Sequence, residues 1–266
     1  MSDAEDVLGA IDTSKPHGAR MYDWYLNGKD HYPRDRAAAE QVQQMFPDVG
    51  PLARINRRFM HQASRLLAER GVKQFLDIGT GIPTEPNLHQ VVQEVSRDAK
   101  VMYVDRDPTV LAHAQALLRS TPEGQTQYLH ADVREPGKIT AAASKFLNFQ
   151  EPVALSMVAV LHFIEDNSKP YDLLARLLEP LPRGSCLMLS HVTGDLDPAT
   201  WDKVVAYYRK IGTSAQARSR REFADFFSGL QLFEPGVQLV EEWEPTLQGD
   251  GSGAPLPLYV GVAQKV

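Results

Sequence analysis

A single cysteine, Cys186, stands in the 266 residues of this chain. A lone thiol excludes an internal disulfide and any cysteine-cluster metal site. Inside the apolar run 185–190 it reads as a buried, inert side chain. Long hydrophobic runs are also missing. Nothing approaches the ~18 consecutive apolar residues that span a membrane, so no membrane partner is expected. A targeting signal is absent at the start: Met1-Ser2-Asp3-Ala4-Glu5-Asp6 is acidic where a leader would be basic, and no apolar core follows. These lacks point to the cytoplasm. Charge of one sign is scarce as well. The formal net charge is −6, with no long single-sign run. Nucleic acid selects a basic face, so no nucleic-acid partner is expected. The densest basic stretch, Arg218, Arg220 and Arg221 beside Arg209 and Lys210, reads as a solvated helix end.

What is present suits one α/β domain with decorations. Apolar residues make up 43% and charged residues 23%, ordinary for a chain that buries a full core. Residues 1–15 are polar and expected to be loose. The segment 19–32 is aromatic, with Tyr22, Trp24, Tyr25 and Tyr32 around Asn27-Gly28-Lys29-Asp30-His31. Helical patterns follow over 34–46, closed by Pro47, and over 52–70, closed by Gly71. In the second, Leu52, Ile55, Phe59, Ala63, Leu66 and Leu67 fall on one face. Beyond them, short apolar runs begin near Phe75, Val101, Gln127, Val153 and Ser185, the first four 26 residues apart and the last 32. Helical stretches such as 108–120 and 171–179 separate them. Parallel strands need a dozen or more residues to return, and strands covered on both faces are apolar throughout. The chain therefore reads as α/β: a doubly wound, Rossmann-like, mostly parallel sheet. Its parts are an N-terminal helical lid over 1–70 and a sheet domain over 71–266. A helical insertion over about 195–232 carries Trp201, Tyr208, Phe226 and Phe227, which read as core more than as a substrate cage. Ser219 and Glu222 have capping-box spacing there. Strand candidates 237–243 and 258–262, joined through Gly249-Asp250-Gly251-Ser252-Gly253, form an antiparallel hairpin at the sheet edge.

Chemistry concentrates at the ends of the first strands. Phe75-Leu76-Asp77-Ile78-Gly79-Thr80-Gly81-Ile82-Pro83-Thr84 ends a strand in Gly-x-Gly, with an acid two residues before the first glycine. Glycines let the backbone turn tightly and let a ligand lie against it. A carboxylate at a buried strand end needs a partner, and a cationic ligand group is one. Asp105 closes the next strand and is placed to accept from a ribose diol. Arg106 and Asp107 follow. Asp105 is preferred because it abuts the apolar run, and Asp107, before Pro108, suits a helix N-cap. Asp132, in His130-Ala131-Asp132-Val133-Arg134, ends the third strand and is placed for an exocyclic amine, with Val133 against the ring. Three consecutive strand ends carrying an acid at one sheet edge describe a site for an amine-bearing nucleoside.

These features resemble the class I S-adenosylmethionine (SAM)-dependent methyltransferases over roughly 74–190. Five stretches carry a closer resemblance across nearly the whole chain: 22–30, Asn56-Arg57-Arg58-Phe59, 74–84, Tyr103-Val104-Asp105-Arg106-Asp107-Pro108 and Val160-Leu161-His162-Phe163-Ile164. They are similar to a family of bacterial S-adenosyl methyltransferases once filed as a domain of unknown function. The resemblance implies SAM as cofactor and a seven-stranded sheet with an antiparallel last strand. Asp77, Gly79, Thr80 and Gly81 are expected at the methionine end, Asp105 at the ribose and Asp132 with Val133 at the adenine, with Arg106 a further cofactor-binding candidate. Pro83 stands where many class I enzymes have a third glycine.

The fourth strand ends in Met157-Val158-Ala159-Val160-Leu161-His162. Met157 is expected to border the methionine part. His162 is a candidate general base, against a structural reading that His191 shares. Tyr22 is a second candidate base and, with Tyr32, Lys29 and Asp30, part of a lid over the cofactor, its ring suited to a sulfonium. No metal is expected, because no histidine or cysteine stands at ligand spacing. The function expected is methyl transfer from SAM to a small-molecule acceptor. A non-catalytic SAM-binding regulator is the first alternative. An NAD-dependent oxidoreductase is the second, disfavoured by Asp77 and by Thr84 in the third-glycine position of a dinucleotide loop.

Overall fold

The computed structural model describes residues 12–117, 119–243 and 250–266. Most of the segment expected to be loose, and Gly249 of the glycine-rich loop, lie outside them. Three helices come first: α1 (Gly18–Tyr25), α2 (Pro33–Met45) and α3 (Val49–Glu69). Pro33 opens α2, where its fixed φ costs nothing. After α3, Gly71 takes φ +90° and turns the chain out of the helix. Leu52, Ile55, Phe59, Ala63 and Leu67 are all buried, so the apolar stripe of α3 is the face that lies on the sheet.

Strands and helices then alternate: β1 (Gln74–Ile78), α4 (Leu88–Val95), β2 (Lys100–Asp105), α5 (Pro108–Leu117), β3 (Gln125–His130), α6 (Pro136–Phe146) and β4 (Ala154–Val158). Short 3₁₀ turns at Leu161–Phe163 and Asp166–Ser168 lead to α7 (Pro170–Leu178) and β5 (Cys186–Val192). Then come α8 (Pro198–Lys210), α9 (Arg220–Asp225), β6 (Leu230–Leu232), β7 (Gln238–Leu239), α10 (Val240–Trp243) and β8 (Leu258–Lys265). The sheet order is β3-β2-β1-β4-β5-β8-β6, with β7 also paired to β8. β1 to β5 run parallel, and β8 is antiparallel to β5. The mostly parallel, doubly wound sheet and its antiparallel last strand are as the sequence indicates. The winding direction reverses between β1 and β4, which opens a crevice beyond the strand ends there.

Alternation along each strand sends side chains to two cores. Phe75, Val101, Tyr103, Ala154 and Met188 pack under α1–α4, α8 and α10. Leu76, Met102, Val104, Leu155 and Met157 pack on α6, α7 and α9 with Phe226 and Phe227. No described helix is long and apolar enough to cross a membrane.

The sheet edge differs from expectation in two ways. Only Gln238 and Leu239 of the 237–243 candidate pair with β8. The next four residues coil, because Val240 and Trp243, three apart, are both buried and Trp243 meets Phe59 edge-on at 5.0 Å. An eighth strand, β6, pairs with the end of β8. Its three residues, with Leu232 exposed, carry too little pattern to be read from sequence.

Candidate active site

The β1 turn is built on Gly79. Its φ is +75°, and a Cβ there would lie 2.2 Å from Val160 Cγ2. Only glycine allows both the left-handed backbone and that approach. Its N–H donates to the Val104 carbonyl at 2.7 Å, tying the turn to β2. Gly81, at φ +68°, has open space where a Cβ would be. Val160 is brought close by a second turn after β4, where Ala159 takes φ +59°. An L-residue there is strained by roughly 1–2 kcal/mol. Ala159 N–H donates to Ser190 Oγ at 2.9 Å, which holds the turn in place.

These turns and the helices above them enclose one cavity of about 230 Å³. Asp77, Asp105 and Asp132 all line it, with Gly79, Thr80, Gly81, Arg106 and Val133. Asp77 is buried and makes no ion pair within 4 Å among the described residues. Burial pushes its carboxyl up to about 6, against the opposing pulls of the Ser156 and Thr80 hydroxyls and of Arg57. Each Asp105 oxygen takes one backbone amide, from Gly81 and from Asp107, both at 2.9 Å. Burial raises its carboxyl too. Asp132 is more open, and Arg134 binds it through both its backbone N–H and its guanidinium at 2.9 Å. Asp107 accepts from Thr109 N–H at the start of α5 and pairs with His17 at 2.9 Å. Burial would raise that carboxyl, but the His17 contact carries it well below the usual range.

Met157 requires a correction. It is fully buried in the α6–α7 core and does not reach the cavity. Ser156 pairs in register with Asp77, so alternation turns Met157 to the opposite face. Val158, Ala159 and Val160 form that wall instead. Tyr32 and Lys29 are not on the wall either; from the aromatic segment, Tyr22 and Tyr25 are.

Tyr22 is fastened rather than free. Its hydroxyl donates to Ala53 O and accepts from Asn56 Nδ2, both at 2.9 Å. Asn56 Oδ1 in turn accepts from Ser190 Oγ, which holds Ala159. One polar chain thus joins α1, α3, β5 and the β4 turn. Burial raises the Tyr22 hydroxyl above its ordinary value.

His162 is buried, lines the cavity, and its Nδ1 has no partner among the described residues. Burial, with Arg218 nearby, pushes its imidazole down to about 3. His191 lies behind it, 5.6 Å between ring centroids, and does not touch the cavity. Its Nε2 faces Arg218 at 2.8 Å, so it is structural. Arg218 is only 1% exposed. It donates to the carbonyls of Leu161 and Ile164 and pairs with Asp166 at 2.7 Å. The expected solvated helix end is, at this residue, a buried brace for the His162 turn. The grouped aromatics also divide: Trp201 and Tyr208 line the cavity, while Phe226 and Phe227 are core.

Nothing in the sequence pattern marks Arg57 as a site residue. It reaches over the β1 loop to the carbonyls of Thr84 and Pro86. Its Nε is buried without a partner among the described residues, and the residue lines the cavity beside Asp77. Among the described residues no cluster of three or more metal-ligating side chains occurs.

Residues 5–266 match the family model described as S-adenosyl methyltransferase. No curated protein matches the sequence. Among solved structures, a DUF574 family protein from Streptomyces avermitilis is 40% identical, with a TM-score of 0.91 over 96% of this chain and 100% of that one. A putative methyltransferase from Thermobifida fusca is 33% identical, with a TM-score of 0.86 over 96% of each chain. Magnesium protoporphyrin IX methyltransferase from Synechocystis, solved with bound S-adenosylhomocysteine, is 14% identical at a TM-score of 0.52 over 81% of this chain and 86% of that one, a likeness of fold alone.

Proposed function

The chain belongs to the S-adenosyl methyltransferase family, and we propose that it transfers the methyl group of SAM to a small-molecule acceptor. The observation that carries this reading is the convergence of Asp77, Asp105 and Asp132, from three neighbouring strand ends, on one cavity. The residues fit the cofactor. Asp77 is a buried carboxylate without an ion-pair partner, which suits the amino group of the methionine moiety. Arg57 offers a buried, unpartnered N–H to its carboxylate. Asp105 keeps acceptor capacity beyond its two amides for the ribose hydroxyls. Asp132 and Val133 border the adenine. α1 is the lid over this end, fastened by Tyr22 to α3 and by His17 to Asp107.

Bound there, SAM supplies a methyl group on a positively charged sulfur, an electrophile already activated. The protein's contribution is then mostly positioning and exclusion of water. His162, neutral at physiological pH, orients the acceptor by accepting a hydrogen bond; a base held near 3 is a weak proton acceptor. Tyr22 anchors the lid, since its proton is committed to Ala53. The weakness of His162 as a base favours one second reading, a SAM-binding regulator. Calorimetric titration with S-adenosylhomocysteine should show saturable binding; its absence overturns the reading. Transfer of labelled methyl from SAM into a metabolite extract separates enzyme from regulator.

A further inference from the structure

Polarity on the cavity wall follows the order of the strands. Every carboxylate and guanidinium there lies just beyond β1, β2 or β3, or is Arg57 of α3 above them. The wall beyond β4, β5 and β8 carries no charge and is mostly apolar, made by Val158, Val160, Val192 and Leu258, with His162 among them. Rings close it from above. Trp201 and Tyr208 come from α8, and Phe46 lies 5.6 Å from Trp201. Phe163, after β4, meets Tyr208 edge-on at 5.8 Å.

No charged side chain lines this half; its polar side chains are His162, Thr213, Gln216 and two tyrosine hydroxyls. Tyr25 Oη and Tyr208 Oη lie 3.3 Å apart. One donates to the other, so one O–H of the pair is left for a ligand. Burial raises both well above the ordinary tyrosine value, Tyr208 to about 12, so both remain neutral donors.

We propose that the β4–β5–β8 half of the cavity is the acceptor site, and that it takes an uncharged, planar aromatic molecule whose hydroxyl or carbonyl oxygen is held by the Tyr25–Tyr208 pair. This rests on the preceding reading that the β1–β3 half holds SAM. An anionic acceptor finds no cation in this half to replace its water. A cationic acceptor finds aromatic faces, but it would share one cavity with a sulfonium, and like charges at that range repel. Aromatic walls with a few uncharged polar contacts select flat, neutral ligands.

The test is calorimetry with four probes of one shape: 2-naphthol, 2-methylnaphthalene, 2-naphthalenesulfonate and 2-naphthylmethylammonium. Each is titrated into the free protein and into protein saturated with S-adenosylhomocysteine. 2-Naphthol should bind both forms, the sulfonate about tenfold more weakly or worse to both, and the ammonium probe about tenfold more weakly or worse once SAM, with its sulfonium, replaces S-adenosylhomocysteine. Trp201→Ala should weaken 2-naphthol about tenfold or more while S-adenosylhomocysteine affinity stays within about twofold. Tyr25→Phe with Tyr208→Phe should abolish the preference for 2-naphthol over 2-methylnaphthalene; this conservative pair serves if Trp201→Ala fails to fold. Equal or tighter binding of the sulfonate, or of the ammonium probe beside SAM, no binding of any probe, or unchanged 2-naphthol affinity in the folded variants overturns the proposal. Loss of S-adenosylhomocysteine binding alone would strike the cofactor reading, because the free-protein titrations read the acceptor half separately.

Discussion

Asp77 sits at the end of a strand buried on both faces, and its proton equilibrium gives a measurable signature of the proposed cofactor site. Its carboxyl titrates near 6 in the folded protein, against about 3.9 in an unfolded chain. Between those values the folded state binds more protons than the unfolded one. This group therefore lowers stability as pH rises from about 4 to about 6. A ligand ammonium needs the ionised form. Affinity for S-adenosylhomocysteine should rise as pH increases through about 6, by up to about tenfold per pH unit below it, and Asp77→Asn should flatten the profile; titrations from pH 5 to 7 decide it. Asp105→Ala should weaken the same ligand by about 1–3 kcal/mol, the scale of hydrogen bonds to a charged group. Unchanged affinity in a folded variant would remove Asp105 from the site. Asp77 and Asp105 were legible in sequence because each ends an apolar run, and Asp132 because it follows the third strand, although that strand, Gln125–His130, is largely polar and half exposed. Met157 was misplaced because a residue at a strand end is one position from the opposite face. Arg57 was missed because its role depends on a helix laid across a loop nearly thirty residues on.

At the scale of elements, two polar assemblies hold the site together. The chain Ala159–Ser190–Asn56–Tyr22 ties the β4 turn to α3 and α1. Asn56→Leu leaves the buried Ser190 hydroxyl without its acceptor, while Tyr22 keeps Ala53, and should cost about 1–3 kcal/mol in urea unfolding. It should also expose α1 to protease at concentrations that spare the native chain. Arg218 does similar service for the turn bearing His162. Arg218→Met removes donors from the carbonyls of Leu161 and Ile164. We expect a loss of about 2–4 kcal/mol of stability, seen as a lower urea midpoint at unchanged slope. Sequence presented Arg218 as one of a basic group, and nothing in that pattern marks the member that is buried.

Over the whole molecule, the cavity joins helices from the first seventy residues to strand ends spread along the sheet, so occupancy should stabilise the fold as a unit. S-adenosylhomocysteine at a hundred times its dissociation constant should add about 2.7 kcal/mol and raise the melting temperature by several degrees. NAD at the same concentration should leave it unchanged, because the β1 turn sets a carboxylate where a dinucleotide loop receives pyrophosphate. A shift with NAD and none with S-adenosylhomocysteine would reverse the assignment.

The sequence by itself determined the sheet, its mostly parallel winding and the acids that end β1, β2 and β3. Those properties are local: strand period, glycine permissiveness and the cost of a carboxylate beside apolar runs are written in a few adjacent residues. Tertiary structure alone decided which face Met157 takes, which arginine is buried, how α10 and β6 finish the edge, and that Trp201 and Tyr208 face the cavity while Phe226 and Phe227 face away. Each of those depends on the partner across a packed interface, and an aromatic or a guanidinium has the same chemistry in a wall, a core or a brace until the fold supplies its neighbours.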